Sequence, residues 1–250
     1  MSDWVKDSAG FHVMSNMRQL IFIVLVAMTS NIHSQADSRL DNARRRAEPA
    51  LREAFAKAGV TYPASELFIR AFKREGELEL WAKRGGEFVK VATFPILAAS
   101  GDPGPKRKEG DRQVPEGFYE IDRYNPASLY HLSLGLNYPN AADRILGDRE
   151  RPGSDIFIHG KDVTIGCLPM GDEGIEQIYI AANDTKTKPV KVHIFPARMA
   201  GDAWREWSAT QPEHAVFWAQ LLSAFEHFEK KHTLPEITVQ PDGKYRVNSR

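Results

Sequence analysis

Cysteine is nearly absent. Cys167 stands alone among 250 residues, so no internal disulfide forms and a disulfide-stapled scaffold is excluded. Net charge is absent too: 33 Lys and Arg balance 33 Asp and Glu, which removes the basic field of a nucleic-acid binder. No apolar run is long enough to span a bilayer. Leu20–Met28 covers nine residues, against the roughly 20 that a crossing helix needs. The chain contains no C-x-x-C or H-x-x-x-H spacing, so a metal site is unsupported, and no cofactor is implied. Internal repeats and low-complexity tracts are also missing, which excludes solenoids and arrays.

The amino terminus carries a targeting pattern. Arg18 precedes the apolar run, and the small-x-small triplet Ser34-Gln35-Ala36 follows it. A basic start, an apolar middle and small cleavage residues predict a signal peptide at about residues 17–36, with Met14 or Met17 as initiator. No cysteine follows the run, so a lipid anchor is not predicted. The expectation is an exported, periplasmic protein that is not integral to the membrane once the signal is cleaved. Residues 1–36 form the signal and its upstream extension. An unpaired thiol outside the cytosol is exposed to oxidation, so it is expected to be either buried or used.

Further on, apolar periodicity marks the elements. Leu40, Ala43, Ala47, Leu51, Ala54 and Phe55 fall at helical spacing over residues 38–58, before Gly59 and Pro63. Strand-like runs follow at Leu67–Phe72, Leu78–Trp81 and Phe88–Phe94, the last two joined by the turn Arg84-Gly85-Gly86-Glu87. Residues 100–117 are rich in Gly, Pro and charge and read as a surface loop, in which Lys106, Arg107 and Lys108 are expected to face solvent or an anionic polymer. Phe118–Tyr124, Leu129–Leu136, Asp155–Ile158 and Pro189–Phe195 read as strands, residues 137–154 as irregular, and Ile175–Ala182 as a helix. A last helix over 212–231 carries a Phe217, Leu221, Phe225, Phe228 stripe, and the tail around Asp242-Gly243 reads as a hairpin. Together these predict an α+β fold: a mostly β domain with an N-terminal and a C-terminal helix. Residues 37–99 are read as a helix and strands that pack on the core, and 100–250 as the main domain with the C-terminal helix and hairpin.

Chemistry concentrates in one segment. His159-Gly160 leaves the strand run, and Thr164, Gly166 and Cys167 follow. A thiol becomes a nucleophile as the thiolate, and a nearby imidazole takes the proton and returns it to a leaving amine. Cys167 is the candidate nucleophile and His159 the candidate base. The backbone N–H groups of Gly166 and Cys167 are candidate oxyanion donors, and Thr164 is a candidate orienting group. The group that holds the imidazole in its tautomer is not visible in the sequence; a backbone carbonyl would serve.

The pattern H-G-x-x-x-[ST]-x-G-C, from His159 to Cys167, resembles the signature of the L,D-transpeptidase (YkuD) catalytic domain. Further blocks resemble its YafK-like branch. They include Gly104–Asp111, Pro115–Tyr119, Ser128–Ser133, Asn137–Asn140, Gly166–Met170, Ile175–Tyr179 and Phe195–Met199. The resemblance implies a β-rich fold and a thioester on Cys167, formed at a peptide bond next to diaminopimelate in a peptidoglycan stem peptide. An amine then completes a cross-link, or water completes hydrolysis. The YafK-like branch implies release of a wall-anchored lipoprotein. Two departures mark this chain: Ile165 stands where such domains carry His, and Pro169 where they carry Arg. A substrate carboxylate calls for an arginine, and Arg144 and Arg198 lie near or within the matching blocks. Gly160, His131, Tyr138 and Asn140 complete the candidate substrate-binding set. The competing class is a non-catalytic peptidoglycan-binding module on the same fold.

Overall fold

A computed structural model describes residues 37–248. The predicted signal peptide lies outside the described residues. Helix α1 spans residues 37–57 and buries Ala43, Ala47, Leu51 and Phe55, one residue per turn. It stops at Gly59, whose φ of +68° costs a glycine little.

Eight strands form one sheet: β1 (Leu67–Phe72), β2 (Glu77–Arg84), β3 (Glu87–Pro95), β4 (Gly117–Asn125), β5 (Ser133–Leu136), β6 (Phe157–His159), β7 (Leu168–Pro169) and β8 (Lys191–Phe195). Their order is β3-β2-β1-β8-β4-β5-β6-β7. Only β1–β8 and β6–β7 are parallel pairs. The two margins meet: the chain leaving β3 donates from Leu97 N to Pro169 O of β7 at 2.8 Å. That contact curls the sheet toward a barrel and brings the shortest strand, β7, under cover.

Both faces of the sheet are buried. Leu67, Ile69 and Ala71 join α1 and helix α3 (Gly171–Asp184) in the main core. On the other face, Phe72 and Phe195 pack against Trp218, Leu221 and Phe225 of helix α5 (Ala215–Lys231). Two-sided burial explains why β1 reads LFIRAF without polar alternation. Its one charge, Arg70, is held by Glu79 at 2.8 Å and Glu229 at 2.6 Å. A terminal hairpin of β9 (Glu236–Val239) and β10 (Tyr245–Asn248) closes the chain. Among the described residues no helix is long and apolar enough to cross a membrane.

The α+β class, the first hairpin, the terminal hairpin and the principal helices match the sequence expectations. Two regions differ. The stretch 137–154 contains a capped helix, α2 (Ala141–Leu146), started by an Asn140/Asp143 capping box whose N-x-x-D spacing is readable in retrospect. The strand expected from Leu129 begins only at Ser133; residues 126–132 form a turn, with His131 at φ +71°. The remaining helix, α4 (Gly201–Ala209), packs Trp204 under α5.

Candidate active site

Strand β6 ends on His159, and β7 begins one residue after Cys167. In their parallel register Ile158 faces Leu168 and His159 faces Pro169, so continuing one residue back sets Phe157 beside Cys167. Cys167 thus enters β7 and His159 ends β6, so the two residues flank one pair of adjacent strands.

The imidazole is 3% exposed. Its Nδ1 lies 2.6 Å from Gly160 O. A carbonyl only accepts, so Nδ1 carries the hydrogen and Nε2 keeps its lone pair. Burial pushes the ring below its ordinary pKa, against the pull of that hydrogen bond. His159 therefore rests as a neutral base with a fixed tautomer. The Tyr130 ring covers it, with centroids 4.7 Å apart. Gly160 has no room for a side chain: an added Cβ would lie 2.6 Å from Tyr130 O and 2.7 Å from an Asp172 oxygen. Its N–H donates to Tyr130 O and Leu132 O, tying the 126–132 turn to the end of β6.

The thiol is half-buried. Its hydrogen bond runs to Asp155 O at 3.7 Å; among the described residues none joins it to His159. Burial raises the thiol above its ordinary pKa, the Phe157 N–H and Lys106 favour the thiolate, and Asp155 opposes it. The resting pair is thus uncharged on both sides. The nucleophile turn is organised by Thr164. Its Oγ1 accepts from Cys167 N at 2.7 Å and Gly166 N at 3.1 Å, and donates to Cys167 O at 2.8 Å. The two amides expected to await an oxyanion are therefore spent on Thr164 in this state. Gly166 adopts φ +132°, and a Cβ there would lie 2.9 Å from Gln113 O.

The remaining expected residues divide. Arg144, on α2, is exposed, and its guanidinium has no ion pair among the described residues. Arg198 is instead committed: it pairs with Glu77 and with Glu79, and stacks over Phe72 at 4.3 Å. His131 turns away to Glu176 of α3 at 2.7 Å, because its positive φ reverses the strand expected there. Tyr138 is buried and donates to Pro152 O at 2.8 Å. Asn140 spends its amide on Phe118 O, Tyr245 and the α2 cap. These four side chains hold structure together, since each polar group already has a protein partner. Sequence reasoning missed Tyr130, although it stands in the quoted Ser128–Ser133 block, and it also missed Asp155 and the burial of Lys106.

Apolar surface surrounds the pair. Leu129 and Ile165 are largely exposed, and Val163 is about half exposed. Ile165 occupies the position where histidine was expected from the resemblance.

Comparisons with known proteins concern the chain as a whole. The family model YkuD, the L,D-transpeptidase catalytic domain, matches residues 69–194, a span that includes both His159 and Cys167. YafK of Escherichia coli (strain K12), whose name places it provisionally among L,D-transpeptidases, is 32% identical over 189 residues, 74% of each chain. Among solved structures, the Campylobacter jejuni helical cell shape determining protein Pgp2, as its K307A mutant, aligns with a TM-score of 0.45 and 25% identity. That alignment covers 55% of this chain and 49% of Pgp2, so the chain spans about half of that structure. Bdellovibrio bacteriovorus Bd1075 aligns with a TM-score of 0.40 and 22% identity, over 69% of this chain and 63% of that one.

Proposed function

Because the chain belongs to the YkuD L,D-transpeptidase catalytic-domain family, we propose that it is a cysteine acyl-transfer enzyme acting on peptidoglycan, with Cys167 as nucleophile and His159 as base. One observation carries this reading: the Nδ1 bond to Gly160 O leaves Nε2 unprotonated at the end of β6, and the chain's lone thiol lies one residue before the neighbouring strand β7.

The chemistry follows from the resting charges. As Sγ attacks the carbonyl carbon beside diaminopimelate, Nε2 takes the thiol proton. The tetrahedral oxyanion collapses, the C–N bond breaks, and the leaving amine receives that proton. A thioester remains on Cys167. An incoming amine or water then attacks it, again giving its proton to Nε2, and the thiol is restored. Because the thiol does not start ionised, the base acts during attack rather than through a standing ion pair. Thr164 fixes the turn, and one of its two bound amides must be released for the oxyanion to use it. Arg144, exposed on α2, is the arginine assigned in this reading to the substrate carboxylate.

The reading extends to hydrolytic release of a wall-anchored lipoprotein by an exported, periplasmic enzyme, as the sequence resemblance to the YafK-like branch implies. The test is intact-mass detection of an acyl adduct on Cys167 after incubation with diaminopimelate-containing wall peptides. The adduct is expected in the parent and absent in Cys167→Ala. Sacculi carrying bound lipoprotein then separate the outcomes, since released lipoprotein marks hydrolysis and new diaminopimelate cross-links mark transfer.

One observation favours the alternative, a binding module without turnover: the thiol's hydrogen bond goes to Asp155 O rather than to the imidazole. That reading requires no adduct, and sacculus binding by Cys167→Ala equal to the parent's.

A further inference from the structure

The sequence presents Lys106, Arg107 and Lys108 as one exposed basic cluster, and the structure divides it. Lys108 is exposed, whereas Lys106 is only 5% exposed. The Lys106 ammonium donates to Asp111 Oδ1 at 2.6 Å and Lys108 O at 3.0 Å. Asp111 also accepts the backbone N–H groups of Arg107, Lys108 and Gln113 at 2.8–3.0 Å. Its negative charge is thus shared among four donors, while the ammonium keeps a third N–H.

This knot touches both segments that hold the thiol. On one side, Gln113 O fills the space where Gly166 would carry a Cβ. On the other, the Lys106 Cε and Nζ lie 2.8 Å and 3.4 Å from the Cβ that Gly153 lacks. Gly153 stands two residues before Asp155, whose carbonyl accepts from Sγ. Two backbone bonds stitch the segments together, Glu109 N to Arg151 O and Asp148 N to Arg107 O.

We propose that Lys106 is a positioning residue for Cys167, a buried fixed cation that favours the thiolate as its proton leaves. The inference rests on Cys167 being the nucleophile. The groups facing the sulfur are few. His159 is neutral at rest. The Asp155 carboxylate opposes the thiolate, but Arg123 pairs with it at 2.8 Å and offsets part of that opposition. Lys106 is the cation that acts in the thiolate's favour. Burial is the main cause that holds the thiol high, and in that low-dielectric setting a nearby cation counts for more than an exposed one.

Charge and shape make different predictions for the two partners of the knot. The rate of Cys167 alkylation by iodoacetamide, read by intact mass from neutral to alkaline pH, tests them. Lys106→Met should raise the midpoint of the rate profile by about one pH unit, so labelling slows about tenfold at any pH below it. Lys106→Arg should restore the parent profile. Asp111→Asn removes the anion that offsets the ammonium and should lower the midpoint, whereas a purely structural knot would shift the same way in both variants. A Lys106→Met profile identical to the parent's, or an upward shift in Asp111→Asn, overturns the proposal. Asp111→Asn keeps the test decisive where Lys106→Met does not fold. Failure of the acyl-transfer reading shows separately, as a missing wall-peptide adduct in the parent, and leaves these alkylation profiles readable.

Discussion

Two buried histidines in one sheet have opposite environments. His193 sits on β8, in the middle of the sheet, 4% exposed. The rings of Phe68 and Phe118 stand 4.7 Å away and Phe195 6.0 Å away, and its Nδ1 has no hydrogen-bond partner. Burial, reinforced by Arg70 and Lys191, lowers its pKa to about 3. His159 sits near the sheet margin, where β6 gives way to a loop. It too is held neutral by burial, but its Nδ1 is bonded and a single tyrosine ring covers it. Burial therefore does not distinguish a base from a core residue. The difference is at Nδ1, which is bonded and fixes the tautomer in the proposed base but is unpartnered in His193.

The largest expected effect divides these histidines by activity. His159→Gln should lower the rate of thioester formation by about 10²–10⁴-fold, the usual contribution of a positioned base, with little change in melting temperature. His193→Gln should leave that rate intact and lower stability. Stopped-time mass detection of the adduct, paired with thermal melts, makes the measurement. Equal rate losses in both variants would abolish the distinction.

The next effect is on pH stability. The His193 pKa is depressed on folding from 6.5 to about 3, so the native state binds fewer protons than the unfolded chain in that window. Its contribution is complete above pH 6.5 and is lost as pH falls toward 3, by up to roughly 5 kcal/mol. Denaturant melts over this range should show the loss in the parent and a flatter profile in His193→Leu.

Smaller effects belong to the β6 side. Gly160→Ala pushes a methyl into Tyr130 O and Asp172 and should cost about 1–3 kcal/mol by overpacking, with a parallel loss of adduct formation as the turn over His159 shifts. Thr164→Val removes the acceptor of two amides and should slow acylation about tenfold, the scale of one or two net hydrogen bonds. Thr164→Ser should stay near the parent rate.

Much of the fold was legible because it rests on local pattern. The α1 stripe, the Arg84–Glu87 hairpin turn, the aromatic stripe of α5 and the terminal hairpin all announce themselves through period and turn chemistry. The pairing of His159 with Cys167 as candidates was also readable, since one segment carries both and the register of β6 and β7 follows from that short connection. The surrounding residues were less legible. His131 read as part of a strand until its positive φ aimed it at Glu176, and Arg198 read as a carboxylate receptor until β2 supplied two glutamates to occupy it. All three glutamates lie more than 40 residues away in sequence.

The sequence by itself determined the class of the fold, the uniqueness of the thiol and the presence of an imidazole eight residues before it, because composition and local periodicity act over a few neighbours. Tertiary structure alone decided that Gly160 O orients that imidazole, that Thr164 occupies the two nearby amides, and that Lys106 is buried while Lys108 is not. Hydrogen-bond partners and dielectric depend on which distant segments pack together, and no local pattern encodes that.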